Sequence, residues 1–232
     1  MRSGMNTALP PGQRVLDHFP RFGVPAYANR LPEVPARFEL QVQAKDEATC
    51  PPFRIEDFKE LERKEIIADF HCVTTWTRRS LAWSGYSFQD VYKRLLVPRA
   101  RAHSMRDHLE FKALDGYSTC ILLEDLLQED VLLADRLEGE PLSLEHGAPL
   151  RLVAPRLYGY KNVKHVCAIK LRSEYRRSLA ERQTLAHPRG RVALEERGRG
   201  LPGPVYRIIY RALLRPTLWY YRQVERRGKH SR

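Results

Sequence analysis

The chain has 232 residues, of which 43% are hydrophobic and 29% are charged, a globular composition with ample length for a core. No stretch approaches the roughly 20 consecutive apolar residues of a membrane-spanning helix, and the N-terminus lacks the apolar segment of a secretory signal. The four cysteines form no C-x-x-C pair, which argues against a zinc knuckle or a thioredoxin-type motif. We therefore expect a cytoplasmic protein with free thiols.

The net charge of +12 comes almost entirely from the C-terminal part of the chain. Residues 171–232 contain 16 Lys and Arg against 5 Asp and Glu, whereas residues 1–170 contain 24 against 23. Because one part is nearly neutral and the other strongly basic, the sequence indicates two separate functions. We expect an extended arm over residues 1–35, a main domain over residues 36–172 and a basic extension over residues 173–232.

The first part of the chain predicts an arm followed by two strands. PPGQRV and RFGVPAYANRLPEVP are rich in Pro and Gly, which favours an extended arm lying on the domain. RFELQVQA, at residues 37–44, alternates apolar and polar side chains and predicts a half-buried strand. A short helix over residues 55–61 and a second strand over residues 65–73 follow, and this strand delivers Cys72 at its end.

The middle of the chain predicts short strands with irregular helices between them. Trp83, Gly85 and Tyr86 predict a turn, after which Ser87 caps a helix. Further strands are predicted over residues 108–113, 130–137, 150–154 and 163–171, with a short helix over residues 122–127 and tight turns at residues 115–116 and 138–141. Because no regular alternation of strands and helices is present, we expect an α+β fold with mixed sheets.

The basic extension contains an amphipathic segment over residues 204–226. Five arginines fall within a stripe of roughly 100° on a helix, and Pro216 should kink this helix or split it in two. Such a helix has three interpretations. It packs on the domain or on a second subunit, it lies on an anionic membrane surface, or it binds nucleic acid. The last is disfavoured because the sequence has no recognised nucleic-acid-binding motif.

Cys72 is the strongest candidate for chemistry, and the residue before it is His71. A cysteine at the end of a strand is a thiolate nucleophile with a nearby base, a ligand for a soft or high-valent metal, or a buried core residue. The sequence has no oxyanion-hole motif and no third orienting residue, which argues against a Cys-His hydrolase. From the local residues alone, the other two interpretations stay open.

A second candidate is the segment HGAPLRLVAPRLYGYKNVKHV at residues 146–166. Arg151, Lys161 and Lys164 surround a turn with closely spaced backbone amides at Asn162 and Val163. Cationic side chains and backbone N–H groups together form a phosphate-binding site. The alternative is a basic turn on the protein surface.

Several motifs, in order, resemble the sulfite-oxidase-like molybdopterin oxidoreductases. FHCVTTW followed by LAWSGYSFQDV resembles the molybdenum-binding segment of that family. DGYST, and then LEDLLQEDVLLADRLEGEPLSLEHGAPLRLVAPRLYGYKNVKHV, resembles the rest of the domain. The resemblance covers about residues 38–171 and implies an α+β molybdopterin-binding domain with one pterin and one molybdenum per chain.

The resemblance also implies roles for individual residues. Cys72 is the thiolate ligand of molybdenum and belongs, with the neighbouring His71, to the cofactor-binding set. His146 lies on the pterin, and Arg151 binds the polar end of the cofactor. The pterin phosphate is held by the consecutive residues Asn162, Val163 and Lys164.

Two further positions complete the implied catalytic set. Asp115 and Tyr117 join Cys72 in this set because they line the route of access to the metal. The resemblance also implies that Tyr27 and Asn29 of the arm contact the pterin. These roles suit the chemistry, since thiolate is a soft ligand and a phosphate dianion needs cationic partners.

The implied activity is a two-electron reaction of oxygen-atom-transfer type on an unidentified small substrate, with an unidentified electron-transfer partner. Sulfite is in doubt as the substrate, because Val73, Thr74 and Thr75 follow Cys72 and the first arginines are Arg78 and Arg79. The alternative function is a membrane-surface or nucleic-acid-associated binding protein that uses the same fold without bound metal. We expect a cytoplasmic location, peripheral at the membrane if residues 204–226 contact lipid.

Overall fold

A computed structural model describes residues 8–44, 49–100 and 108–230, which form two β-sheets with short helices between them. In chain order the strands are β1 (Arg14–Val15), β2 (Glu39–Gln43), β3 (Thr49–Arg54), β4 (Arg63–His71), β5 (Trp76–Ser87), β6 (His108–Ala113), β7 (Ser118–Leu122), β8 (Leu132–Leu137), β9 (Glu140–Pro141), β10 (Arg151–Val153) and β11 (Val166–Arg172). The α-helices are α1 (Ile55–Phe58), α2 (Phe88–Asp90), α3 (Val97–Ala100), α4 (Leu123–Leu126), α5 (Leu179–Thr184) and α6 (Gly203–His230). A π-helical segment, Val91–Leu96, joins α2 to α3, and 3-10 turns lie at Pro25–Tyr27 and Gly159–Lys161.

Both sheets contain parallel and antiparallel pairs. The first sheet has the order β1-β5-β8-β10, with β4 paired to β5 and β9 paired to β8. The second sheet has the order β3-β2-β11-β6-β7. Strands β1 and β5 are parallel, as are β2 and β11, and the other pairs are antiparallel. The predicted α+β fold with mixed sheets is confirmed.

Apolar side chains of the two sheets form two core clusters. The larger cluster joins the second sheet to the π-helical segment and to one set of side chains of the first sheet, such as Leu133 and Leu152. The smaller cluster collects the neighbouring side chains of the first sheet, including Trp83 and Val153, and Phe19 of the arm packs against it. Because side chains alternate along a strand, β8 and β10 contribute to both clusters. The first sheet is therefore covered on both faces, and the arm covers one of them.

The predicted N-terminal arm is described from residue 8 onwards, since residues 1–7 lie outside the described residues, and the first sheet holds it in place. β1 pairs in parallel with the start of β5, with Arg14 opposite Trp76. Further along, the ring of Phe22 contacts the ring of Trp76 in an edge-to-face arrangement with a centroid distance of 5.6 Å. These contacts fix the arm beside the β4–β5 connection.

The predicted turn at Trp83, Gly85 and Tyr86 is wrong, because all three residues lie inside β5. The reason that glycine occurs there is a close approach between strands. A Cβ atom at position 85 would lie 2.2 Å from the carbonyl oxygen of Leu133 on β8. The register between β5 and β8 also shifts at this point, as in a β-bulge.

Strand β3 was not predicted, because it contains Pro51 and Pro52, which the sequence pattern treats as breaking a strand. Ser87 does lie at the N-terminus of α2 as predicted, although its side chain makes no capping hydrogen bond. Pro216 was predicted to kink the tail helix or to split it in two, and the split does not occur, since α6 continues through Pro216. None of the helices in the described part of the chain has the length and apolar character needed to cross a membrane.

Candidate active site

A cavity of about 260 Å³ lies where the arm, the β4–β5 connection, the Gly159–Lys161 turn and α6 meet. Most of its lining is apolar, and much of that is aromatic. The aromatic side chains that line it are Phe19, Phe22, Tyr27, Phe70, Trp76, Tyr117, Tyr160, Tyr210 and Tyr221. The polar lining includes one cysteine, Cys72, and several cationic side chains.

Cys72 begins a tight turn that joins β4 to β5. Its amide donates to the carbonyl of Trp76 at 2.8 Å, and its carbonyl accepts from the amide of Thr75 at 3.2 Å. Thr75 has a φ of +72°, which lies in the left-handed region that non-glycine residues seldom adopt. The turn places Cys72 at the cavity with only 7% of its surface exposed.

The Cys72 thiol lies 3.1 Å from the hydroxyl oxygen of Thr74. Burial raises the pKa of this thiol, while the Thr74 hydroxyl and the positive charge of Arg197 act in the opposite direction. Because these groups oppose the effect of burial, the surroundings of the sulfur contain groups that favour its thiolate form.

The turn at Cys72 is held by donors that the sequence patterns did not indicate. Gln13 donates its side-chain amide to the carbonyl of Cys72 at 3.0 Å, and the amide of Arg14 donates to the carbonyl of Thr75 at 3.1 Å. Arg197 donates to the carbonyl of Val73 at 2.6 Å. No local sequence pattern predicts contacts between residues so far apart in the chain.

Arg151 begins β10 and is almost completely buried, with 1% of its surface exposed. Its guanidinium donates to the carbonyl of His146 at 2.8 Å and lies 5.0–5.4 Å from the ring centroids of Phe19, Phe70 and Trp83. Its Nε atom has no hydrogen-bond partner among the described residues. Burial lowers the pKa of Arg151 to about 9. A buried cation with an unused donor beside a cavity is well suited to bind an anion.

His146 and Lys164 lie beside Arg151 because the chain turns tightly at Gly147. Gly147 has a φ of +115°, and a Cβ atom there would lie 3.1 Å from Cβ of Lys164 and 3.3 Å from Cβ of Arg151. Burial and the charges of Arg151 and Lys164 lower the pKa of His146 to about 4, so its imidazole is neutral at pH 7. The ring of His146 stacks on Phe19 with a centroid distance of 4.8 Å, and His146 itself is not among the described residues that line the cavity.

Lys164 lines the cavity and donates to the carbonyl of Glu145 at 2.8 Å. Burial lowers the pKa of Lys164 to about 7, and the nearby positive charges of Arg151 and Arg21 act in the same direction. An anion bound in the cavity would oppose both effects and favour the charged lysine.

Asn162 and Val163 also line the cavity, but their polar groups are already paired. The amide of Asn162 donates to the carbonyl of Gly159 and that of Val163 to the carbonyl of Lys161, both at 3.1 Å. The side chain of Asn162 bonds to backbone groups of three residues and so fixes the loop that precedes the turn. The structure therefore shows Asn162 supporting the loop, and the amides predicted to bind phosphate donate within the turn.

Lys161 does not belong to the cationic group at the cavity. Its side chain is fully buried and lies 2.6 Å from the carboxylate of Glu181 on α5. The interpretation of Lys161 as part of a phosphate site is wrong for this reason, since its charge is paired inside the protein.

His71 is not brought to the cavity among the described lining residues. Its Nδ1 atom lies 2.8 Å from the hydroxyl oxygen of Thr77, and burial lowers the pKa of His71. The direction of the side chains explains this placement, because successive residues of a strand point to opposite faces. Phe70, the preceding residue of β4, lines the cavity, so His71 lies on the opposite face of the strand and has Thr77 of β5 as its partner.

Asp115 and Tyr117 do line the cavity, as does Tyr27, whereas Asn29 does not. Asp115 accepts a hydrogen bond from the amide of Tyr117 at 2.9 Å. The hydroxyl of Tyr117 donates to the carbonyl of Tyr160 at 2.5 Å, and burial raises the pKa of Tyr117 well above its usual value. Tyr117 is therefore a neutral hydroxyl that bonds to the 3-10 turn.

Two cationic residues of the arm and one face of α6 were not predicted at the cavity. Arg21 and Arg30 line it, and each donates to a backbone carbonyl, that of Ala28 and of Asp115 respectively. On α6, Tyr221 is buried and donates to the carbonyl of Val24 at 3.1 Å. Tyr206, Tyr210 and Tyr221 share one face of this helix, and their spacing could have indicated burial, whereas Trp219 lies on the exposed side.

In the ranges that the structure describes, no three His, Cys, Asp or Glu side chains form a cluster that could hold a metal ion. All four cysteines are free thiols, and Cys72 is the cysteine that lines the cavity.

Comparison with known proteins gives the chemical class of this site. The model of the oxidoreductase molybdopterin-binding domain matches residues 27–180. The chain is 34% identical to the uncharacterized oxidoreductase YuiH of Bacillus subtilis, over 82% of this chain and 91% of that protein. It is 29% identical to the protein-methionine-sulfoxide reductase catalytic subunit MsrP of Xanthomonas campestris pv. campestris, over 48% of this chain and 38% of that protein.

The chain is also 32% identical to the sulfite oxidase of Arabidopsis thaliana, over 40% of this chain and 26% of that protein. The chain thus spans well under half of the length of MsrP and sulfite oxidase. Among solved structures, the sulfane dehydrogenase SoxCD of Paracoccus pantotrophus has a similar fold, with a TM-score of 0.53 and 20% identity over 63% of this chain and 41% of that chain. The chain belongs to the sulfite-oxidase-like family of molybdopterin-binding oxidoreductases, whose cofactor is a molybdenum-molybdopterin.

Proposed function

We propose that this protein catalyses a two-electron reaction of oxygen-atom-transfer type on a small substrate, and that Cys72 holds the molybdenum. The observation that carries the proposal is the position of Cys72 in the same cavity as Arg151 and Lys164. One residue supplies a soft sulfur ligand and the other two supply cationic donors for a phosphate.

The residues present fit such a cofactor. The Nε atom of Arg151 and the Nδ1 atom of His146 are buried without hydrogen-bond partners in the described chain. Buried polar atoms of this kind are rare in proteins unless a ligand or water satisfies them. Arg151 and Lys164, which line the cavity, would bind the phosphate. The neutral His146 is not a described lining residue and would contribute through its stacking on Phe19, which does line the cavity. When bound, the cofactor supplies the redox chemistry, and the protein orients it and excludes water.

The cavity favours an uncharged substrate over sulfite. Arg78 and Arg79 do not line the cavity in the described chain, so no arginine shortly after Cys72 faces it. The cations that do line it lie in the arm and around β10, where Arg151 and Lys164 would be neutralised by the cofactor. The remaining lining is mostly aromatic and aliphatic. A sulfoxide group, the group that the name of MsrP specifies in protein methionine, suits such a lining better than a dianion does, and a small sulfoxide fits the cavity volume.

The experiment that tests the proposal is elemental analysis for molybdenum on protein made in a host that synthesises the cofactor. We expect about one molybdenum per chain, and loss of the metal in Cys72→Ser. Cys167→Ser is the matched control, because Cys167 is half-buried on β11 and does not line the cavity. Absence of both molybdenum and pterin from the parent protein would contradict the proposal.

The substrate is tested on the loaded protein with two small probes. We expect reduction of dimethyl sulfoxide or methionine sulfoxide in the presence of an artificial electron donor, and little oxidation of sulfite. Oxidation of sulfite as the faster reaction would contradict the assignment of an uncharged substrate and leave the metal site in place.

The outer face of α6 supports a second proposal, a contact with an anionic membrane surface where an electron-transfer partner lies. Ile208 and Trp219 have 73% and 63% of their surfaces exposed. Arg215 and Arg222 are exposed on the same side of the helix. Exposed aromatic and aliphatic residues flanked by arginines are typical of helices that lie on membranes, where each basic residue contributes about 1 kcal/mol. The protein would then be cytoplasmic and peripheral at the membrane.

Flotation with liposomes tests this contact. We expect the protein to float with vesicles that contain phosphatidylserine and not with neutral vesicles, and Trp219→Ser with Ile208→Ser to abolish flotation. Tyr220→Ser is the control, because Tyr220 is half-buried on the same helix. The membrane proposal would be contradicted if the parent and the variants floated equally, or if no form floated. Binding to RNA without flotation would favour the nucleic-acid alternative.

A further inference from the structure

The turn that carries Cys72 is held by residues outside the matched domain. Its backbone carbonyls at Cys72, Val73 and Thr75 accept hydrogen bonds from Gln13, Arg197 and Arg14. The family model covers residues 27–180, so all three donors lie in the segments that flank it. The segments on both sides of the matched domain therefore contact the turn that carries the proposed metal ligand.

Arg197 links the N-terminal segment to the turn that carries Cys72. Its guanidinium donates to the carbonyl of Val73 at 2.6 Å and to the carbonyl of Pro11 at 2.8 Å. A planar guanidinium presents several N–H donors in a fixed geometry, so one side chain can hold two carbonyls at a set separation. Pro11 belongs to the same short segment as Gln13, which donates to the carbonyl of Cys72. Arg197 thus holds both this segment and the turn.

The Arg197 side chain is fully buried. Burial of a charged guanidinium costs free energy unless its charge and its N–H donors have partners. Glu195 satisfies the charge, with a carboxylate oxygen 3.1 Å from the Nε atom of Arg197. The other face of the guanidinium lies 5.1 Å from the ring centroid of Tyr158. The guanidinium therefore bonds to two carbonyls and a carboxylate, which fixes its position relative to the turn.

We infer that Arg197 is a positioning residue for the Cys72 turn, and that through it the C-terminal extension helps to place the sulfur for the cofactor. The inference rests on the proposed metal site at Cys72. It adds that the basic extension takes part in that site. Glu195 extends this link to α6, because its carboxylate also binds the guanidinium of Arg207 at 2.6 Å.

The test uses the full-length protein with Arg197→Met, which keeps much of the volume and removes every donor. Arg191→Met is the matched control, because Arg191 lies in the same segment and pairs with Glu196 without contacting the turn. Arg197→Lys is the conservative variant, since lysine can reach only one of the two carbonyls.

The first measurement is amide hydrogen exchange of the turn, read on the amides of Cys72 and Thr75 with and without cofactor. We expect exchange to be about tenfold faster in Arg197→Met, because a buried carbonyl loses its donor and local opening becomes easier. Arg197→Lys should be intermediate, and Arg191→Met should match the parent. The second measurement is the electron paramagnetic resonance spectrum of the molybdenum, which should change in Arg197→Met and stay parental in Arg191→Met.

Two results would overturn the inference. One is that the amides of the Cys72 turn in Arg197→Met exchange within about twofold of the parent rate while the electron paramagnetic resonance spectrum is unchanged. The other is faster exchange by the same factor throughout both sheets, which would make Arg197 a general stabilising residue. If Arg197→Met does not fold, Arg197→Lys decides alone, since parental exchange of the turn in that variant contradicts the inference. Absence of molybdenum would count against the proposed function only, because the exchange measurement does not need the metal.

Discussion

The Nζ atom of Lys161 lies 2.6 Å from a carboxylate oxygen of Glu181, and both side chains are buried. Lys161 also donates to the hydroxyl of Thr119 and the carbonyl of Cys120, so all three of its donors are used. This pair joins the Gly159–Lys161 turn, which borders the cavity, to α5 of the extension. The Lys161–Glu181 pair is therefore structural, although its lysine belongs to the same basic segment as Lys164.

We expect Glu181→Gln to destabilise the protein by about 3–5 kcal/mol, because the variant leaves a buried lysine without a counterion. The free energy of unfolding, measured with urea, checks this. Glu174→Gln is the control, since Glu174 is exposed next to the same helix. The double variant Lys161→Met with Glu181→Leu should recover most of the loss, and failure to recover would show that the hydrogen bonds matter more than the unpaired charge.

Local patterns in the sequence predicted much of the site, because strands and turns are encoded by neighbouring residues. Alternation placed β2, β6 and β11, and the motif resemblance brought Cys72, Arg151 and Lys164 to one cavity. The difference between Lys161 and Lys164 could not be predicted. Both are lysines of one basic segment, and the first is buried by its contacts with β7 and α5, which the local pattern does not show.

Residues that support the site from a distance were missed for a similar reason. Gln13, Arg197 and Tyr221 reach partners that are 59, 124 and 197 residues away in the chain. Each is a single polar or aromatic residue in an irregular or amphipathic stretch, where the pattern shows no partner. Such contacts depend on how the two flanking segments pack on the sheet, which the sequence pattern does not describe.

Arg151 should oppose stability in the absence of cofactor. Its pKa is lowered to about 9 by burial, which means that the folded protein disfavours its charge. We expect Arg151→Met to unfold at an equal or higher urea concentration than the parent and to retain much less molybdenum. A variant that loses both stability and cofactor would show that Arg151 is mainly a structural residue.

A control for Arg151 is Arg156→Met, because the Arg156 guanidinium pairs with Asp130 and is more than half exposed. Removal of such an exposed pair should change the stability by less than about 1 kcal/mol. The molybdenum content of this variant should be that of the parent.

Lys164 should give the cofactor-free protein a stability that rises with pH near neutrality. Its pKa is about 7 in the folded protein and 10.5 when unperturbed, so between these values the unfolded chain binds more protons. The charges of Arg151 and Arg21 lower this pKa and those of Asp115 and Glu145 raise it. Since the unfolded state is the more protonated one, raising the pH favours folding by up to about 1 kcal/mol per pH unit from this residue.

The measurement is urea unfolding of the cofactor-free protein at several values between pH 6.5 and about 8, where Arg151 stays largely charged. Lys164→Gln should have a shallower dependence on pH than the parent. Lys59→Gln, at an exposed position, should leave the slope unchanged. Identical slopes in the parent and in Lys164→Gln would mean that Lys164 does not titrate in this range.

Tyr221 of α6 should control access to the Cys72 thiol. Only 4% of its surface is exposed, its hydroxyl donates to the carbonyl of Val24, and its ring stacks on Phe22 at a centroid distance of 5.5 Å. Tyr221→Ala removes this wall of the cavity, so we expect a loss of about 3 kcal/mol in stability and faster alkylation of Cys72 in cofactor-free protein. Tyr221→Phe keeps the stacked ring, so its stability and its rate of Cys72 alkylation should remain close to those of the parent.

The alkylation is read by mass spectrometry of the Cys72 peptide, with the half-buried Cys167 as an internal reference. Tyr220→Ala is the matched control, because Tyr220 is adjacent on the helix and does not line the cavity. Bound cofactor should protect Cys72 in every variant that keeps it, since the thiol is then occupied. Equal alkylation of Cys72 in Tyr221→Ala and Tyr220→Ala would show that α6 does not close the cavity, and the entry route would then have to lie on the side of the arm, beside Arg30 and Asp115.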